Sequence, residues 1–193
     1  MTHDQFKKNI RCIGFDDMPF TRKNNYTHLV GTIIRSPQYI EGFVYKRIKI
    51  DGLDSTDRII DSIQYKYRDQ LECIFTHGLT FAGFNVMNCK KIYENLNVPL
   101  IAITKKIPDM KNVKSALEKH FDDWELRYSL FSMPDENIIK INGGQIFIQY
   151  YGTSYENAEY LIKNFTISGH IPEPIRISHL IATSFKFGYS KGF

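Results

Sequence analysis

Asp16 and Asp51 are the two residues of this sequence best placed by type and context to do chemistry together. Asp16 closes the apolar run Cys12-Ile13-Gly14-Phe15, and Asp51 closes the apolar and basic stretch "EGFVYKRIKID". Two strand-end carboxylates that meet at one sheet edge repel and raise each other's pKa. A divalent cation relieves that repulsion, and hard oxygen ligands with open water positions suit Mg²⁺ or Mn²⁺. Such a centre can activate water against a phosphodiester. Asp17 cannot share the role of Asp16 within a strand, because neighbours there face opposite ways. An acid before Met18-Pro19 is also ordinary turn chemistry. Asp54 is a third candidate ligand, although Asp is equally a favoured N-cap and Asp54 or Ser55 could open a helix.

Three further stretches could handle an anion. In "HGLTFAGFNVMN", Gly78 and Gly83 bracket small and aromatic residues before a helix. Backbone amides there can bind an anion, with Gly83, Phe84 and Asn85 as the contacting residues. The stretch is not a Walker or dinucleotide loop, and Asn85 reads as a polar contact or as a helix cap. Lys105 and Lys106 follow a nearly unbroken apolar run and could hold a phosphate; a charged strand exit is the commoner origin of such a pair. Arg176 and His179 lie three apart in a helical stretch entered through Pro172 and Pro174, which lets both face one way.

The elements that must position these residues are readable from period and turn chemistry. Strands are expected over 11–16, 27–35 and 41–51, with short links that imply antiparallel hairpins, one of them a Ser-Pro turn at 36–37. Ile60, Ile63 and Tyr67 at three- and four-residue spacing predict a helix over 55–69. "ECIFTHG" predicts a short buried strand, 86–95 a helix, and "PLIAITKK" (99–106) a strand covered on both faces. Helix is expected over 113–124, strand over 144–152, and helices over 154–165 and 176–188, with Ser154 a plausible N-cap. A meander followed by alternating helices and strands implies a mixed sheet with helices on its faces. No linker divides residues 1–193, so one domain is expected.

Composition narrows the classes. With 42% hydrophobic residues in 193, the chain can fill a real core. Its net charge of +4 is compatible with a nucleic-acid partner without requiring one. Three cysteines with no CxxC pair argue against a disulfide framework or zinc knuckle, and Cys12 and Cys73 read as buried thiols of a reducing compartment. The polar start and the lack of an 18-residue apolar window imply a cytoplasmic chain without a membrane segment.

The motifs "IGFDDMPF", "IDGLDST", "FAGFN" and "PEPIRISHLIA…GYSKG" resemble, in this order and over nearly the whole chain, the archaeal endonuclease dU family, a relative of endonuclease V. The resemblance implies an RNase H-like fold: a five-stranded mixed sheet, the first three strands antiparallel, with helices on both faces. It implies metal-dependent cleavage of DNA near a deaminated base, with deoxyuridine as the lesion and Mg²⁺ or Mn²⁺ as cofactor. Asp16 matches the metal-binding acid of the first strand. Asp51, with Asp54 behind it, is the candidate second ligand. Lys105 or Lys106 resembles the lysine after the fifth strand, and His179 the histidine of the C-terminal helix. Endonuclease V has a further acid at the end of the fourth strand; here "IFTHGLTF" offers His77 and Thr80 instead. The alternative expectation is therefore a non-catalytic nucleic-acid- or partner-binding protein on the same fold with a degenerate metal site.

Overall fold

A strand covered on both faces needs apolar side chains pointing each way, and the central strands have them. The computed structural model describes residues 10–190 apart from 22, 37 and 133; Pro37 of the expected turn and residues 191–192 of the last motif lie outside the described residues. Strands β1 (Arg11–Asp17), β2 (Tyr26–Arg35) and β3 (Tyr39–Lys49) form an antiparallel meander. Helix α1 (Ser55–Ile63) leads to β4 (Cys73–His77), which pairs in parallel with β1. A small hairpin, β5 (Thr80–Phe81) and β6 (Asn85–Val86), precedes α2 (Cys89–Leu96). Then come β7 (Leu100–Thr104), parallel to β4, and helices α3 (Met110–His120) and α4 (Trp124–Phe131). The antiparallel strands β8 (Asp135–Ile141) and β9 (Gly144–Tyr151) and the helices α5 (Tyr155–Phe165) and α6 (Glu173–Phe187) complete the described chain.

The main sheet has seven strands in the order β3-β2-β1-β4-β7-β9-β8, two more than the five expected. The expected antiparallel opening and the helices on both faces are present. Ile13, Phe15, Leu29, Ile33 and Ile74 point to the side of α1 to α4, whereas Cys12, Ile34, Phe75, Ile101 and Ile103 point to α5 and α6. All three cysteines are buried and free. No helix of the described residues is long and apolar enough to cross a membrane.

The departures have local causes. The helix expected to reach residue 69 ends at Ile63 and passes through turns into a single 3-10 turn at Arg68–Gln70. Tyr67 still packs on the core, so its apolar spacing was satisfied without a regular helix. Helix α2 starts at Cys89 rather than residue 86, because Asn88 caps it by accepting from Lys91 N–H and Asn85–Val86 belong to the hairpin. Strand β8 was not expected: as an edge strand it is mostly exposed and carries no clean alternation. Its turn into β9 is Asn142-Gly143, both at positive φ, a pair that could have revealed the hairpin. The helix expected over 113–124 is α3, which starts and ends three to four residues earlier, and α4 was not expected.

Gly14 sets the seat of α6. A Cβ there would stand 2.4 Å from Ile175 N and from the Pro174 carbonyl carbon, so the helix backbone rests directly on β1. Ser178 donates to Gly14 O at 2.7 Å, and its hydroxyl lies 2.8 Å from that of Thr32 on β2. These buried hydrogen bonds fix the helix along its axis as well as in height.

One buried polar group lacks such support. The Ser55 hydroxyl, at the start of α1, is fully buried and has no hydrogen-bond partner among the described residues. A buried hydroxyl left unpaired is costly. Ser55→Ala is therefore expected to leave stability unchanged or raise it by up to about 1 kcal/mol. The urea midpoint reads this directly, and a loss of stability would contradict it.

Candidate active site at the carboxyl ends of the central strands

Parallel pairing of β1 with β4 brings the carboxyl ends of both strands together. The register runs Phe15 opposite Thr76, so Asp16 and His77 emerge side by side. On β1 the alternation turns Asp16 toward α6 and Asp17 toward the opposite face. Helix α6, seated by Gly14 and Ser178, then presents His179 to the same point.

Asp16 is 5% exposed. Its Oδ2 lies 2.8 Å from His179 Nδ1, and its Oδ1 lies 3.5 Å from His77 Nδ1. Oδ1 also accepts the Asp17 N–H at 3.0 Å. Burial alone would push this carboxyl up, but the hydrogen bonds and charges of His179 and His77 outweigh it and hold Asp16 below its ordinary value. The two imidazoles are partly exposed, and Thr183 Oγ1 sits 3.5 Å from His179 Nε2. An ionised carboxylate at Nδ1 fixes the orientation of an imidazole, and Nε2 is then the ring atom that would exchange protons.

Asp17 does different work. Its Oδ2 accepts Ala82 N–H at 3.1 Å. Burial, and next the charge of Asp16, raise its carboxyl to about 6.

Asp51 does not join Asp16. Strand β2 separates β1 from β3, and Asp51 turns back at φ 54 onto the 82–84 loop. Its N–H donates to Ala82 O, and its Oδ1 accepts Phe84 N–H at 2.8 Å. Gly83 must be glycine here, since a Cβ would stand 2.2 Å from Asp51 Oδ1 and φ is +88. Asp54 is committed to Asn85 Nδ2, Lys49 N–H and Arg58. Asn85 is fully buried; its Oδ1 accepts Ser55 N–H, so it caps α1. Of the expected ligand loop, Gly83 and Phe84 do line an open groove of about 990 Å³, with Asp51, Tyr26 and Phe121.

Lys105 and Arg176 line a second open groove, of about 710 Å³, together with His170 and Glu173. Arg176 is gripped by Glu173 through Nε at 2.8 Å and Nη2 at 2.6 Å, which keeps its pKa above the usual guanidinium range. Lys106 is exposed, and its carbonyl accepts the Thr104 hydroxyl.

Among the described residues no three His, Cys, Asp or Glu side chains stand together so as to hold a metal ion. A closed carboxylate cage for Mg²⁺ does not fit. A single carboxylate such as Asp16 fits a Mg²⁺ ion of the kind that keeps most of its waters and leans on substrate phosphates.

Arg127 was not anticipated from the sequence. It is buried, donates from Nη1 to Gly52 O and Phe84 O, and pairs through Nε with Asp123. Its i,i+4 partner Asp123 was the available signal. Arg127→Ala takes a buried charged donor from Gly52 O and Phe84 O, the latter keeping only the Val86 N–H, and a loss of about 3 kcal/mol is expected in urea unfolding. Arg127→Lys should recover little of it, because an ammonium lacks the planar fork.

Comparison with known proteins places these observations. The family model for endonuclease dU matches residues 8–186. A UPF0215 protein of Pyrococcus horikoshii is 36% identical over 187 residues, covering 96% of each chain. The crystal structure of a protein of unknown function from Archaeoglobus fulgidus is 35% identical with a TM-score of 0.80, covering 91% of this chain and 98% of that one. Endonuclease V of Ciona intestinalis, solved with a DNA 23mer containing an inosine followed by a ribo-adenosine, superposes with a TM-score of 0.58 at 15% identity, covering 89% and 83%. The expected RNase H-like fold is thus present, with seven strands in its sheet.

Proposed function

This chain belongs to the endonuclease dU family, and from that premise we propose that it is an endonuclease that cleaves DNA near a deaminated base, deoxyuridine first, in a repair role. The observation that carries the reading is the buried Asp16 held between His179 and His77 at the carboxyl end of β1.

Asp16 is the residue that would hold a Mg²⁺ or Mn²⁺ ion, with water and substrate phosphate completing its shell. When bound, such an ion acts as a Lewis acid on the phosphodiester. His179, oriented through Nδ1, positions the attacking water or gives a proton from Nε2 to the leaving oxygen of the phosphodiester. Lys105, on the rim of its groove, attracts the phosphate backbone. Arg176 serves chiefly to fix Glu173 and the start of α6. The groove over Gly83 and Phe84 offers an apolar ring to a base turned out of the stack. Asp51 and Asp54 shape that loop and the start of α1, which leaves Asp16 alone of the three expected ligands to hold the ion.

The test is incubation of the protein with labelled single- and double-stranded oligonucleotides carrying one uracil, one inosine or no lesion, in Mg²⁺, Mn²⁺ or chelator. Nicking that needs both lesion and metal is expected. A second reading, a non-catalytic nucleic-acid binder, is favoured by one observation: His77 stands where a further acid is expected. It requires binding without nicking under every condition.

A further inference from the structure

The outer face of β3 carries a row of side chains that the site does not use. β3 is an edge strand. Its alternation buries Val44 and Ile48 toward α1 and leaves Phe43, Tyr45 and Arg47 on the face that carries α6. Phe43 is 54% exposed and Tyr45 50%. His28 of β2 stacks on Tyr45 with ring centroids 4.4 Å apart and planes at 15°. Phe185 of α6, 71% exposed, meets Tyr45 at 6.0 Å. The Arg47 guanidinium lies 3.8 Å above the ring of Tyr26. Burial, and next the neighbouring Arg47, push His28 below its ordinary range, which favours an uncharged ring in the stack.

Exposed rings in contiguous contact are unusual on a surface that meets only water. The sheet register shows what they adjoin. Asp16 pairs with Val30, and Val30 pairs with Tyr45. Tyr45 therefore stands two strand spacings from Asp16, about 10 Å, on the same face. Helix α6 spans the interval, with His179 at Asp16 and Phe185 at Tyr45.

We propose that this shelf is a stacking platform for unpaired nucleotides, so that the ligand of this face is single-stranded nucleic acid led toward Asp16. The inference deepens the endonuclease reading and rests on it for what happens at Asp16. Rings interleaved with cations match the bases and phosphates of a single strand, whose π-faces are open as those of a duplex are not. The row Phe43, Tyr45, Arg47, Lys49 contains no acid, which complements phosphate. A second copy of the chain on the same face would bring these cations toward each other.

Fluorescence anisotropy with labelled single-stranded and duplex 12-mers in chelator separates binding from cleavage. Tyr45→Ala and Phe185→Ala are each expected to weaken single-strand binding about 5- to 150-fold, the cost of one lost stacking contact. Tyr45→Trp should retain affinity. Duplex binding should change less than threefold, and the circular dichroism melt should stay in place. Arg47→Ala should lower the salt dependence of binding by roughly one counterion. Wild-type affinity for single strands in the Tyr45→Ala, Phe185→Ala double variant would overturn the proposal. So would sedimentation showing a dimer that Tyr45→Ala dissociates. Shelf-dependent binding without nicking anywhere would sustain the platform and remove the endonuclease reading; nicking unaffected by the shelf variants, with single-strand affinity intact, would do the reverse.

Discussion

Asp16→Asn is expected to lower lesion-dependent nicking by roughly 10³-fold or more while the protein stays folded. The substitution keeps the shape of the side chain and removes its charge. Without that charge, His179 and His77 lose the partner that orients them, and the site loses the carboxylate proposed to hold a metal ion. General acid–base groups contribute about 10² to 10⁴ in rate, and removal of a group that acts through others costs as much as the unit it serves. Single-turnover nicking with saturating protein measures the chemical step apart from binding. Anisotropy on the same oligonucleotide should show affinity within a few-fold of wild type. Nicking within threefold of wild type would move the chemistry away from Asp16 altogether.

Gly14→Ala is expected to be the most damaging single-methyl change. The added carbon would meet two backbone atoms of α6 at 2.4 Å, and no flexible side-chain end can yield there. Either α6 lifts from β1 or the strand bends. Overpacking of this kind costs about 1–3 kcal/mol and sometimes more; a backbone clash belongs at the upper end. Lifting the helix also draws His179 from Asp16, so activity should fall further than the folded fraction. Urea unfolding gives the first quantity, and nicking per folded molecule the second. An unchanged urea midpoint would show that α6 does not rest on β1 as described.

The sequence carried the framework well, for physical reasons that can be named. β1, β4 and β7 are buried on both faces, so their apolar runs mark them plainly. Edge strand β8 meets water along most of its length and lacks that mark; the pair Asn142-Gly143 was the signal that could have found it. Asp16 and His179 were readable as candidates because one ends a strand and the other shares a helix face with Arg176. Their partnership was not readable, because no local pattern says which helix crosses which strand. Asp51 misled for the same reason. A strand-end carboxylate looks alike whether it faces a cleft or turns back at positive φ onto a neighbouring loop. His77 stood in the right place in the sequence, but its position beside Asp16 depends on the parallel register of β1 and β4.

The distance along the chain between Asp16 and His179 bears on how the protein comes to exist. The two groups are 163 residues apart, and the Ser178 to Gly14 bond spans 164. The meander β1 to β3 can form early, from neighbours in sequence. The parallel pairing of β1 with β4 closes a longer loop, and docking of α6 closes the longest among the described residues. Non-local contacts of this kind slow folding, because the entropy of closure is lost before the contact is gained. During synthesis the sheet can assemble while α6 is still within the ribosome, leaving Gly14 and Thr32 facing water. The meeting of Asp16 with His179 therefore waits until α6, late in the described chain, has been made and has found β1.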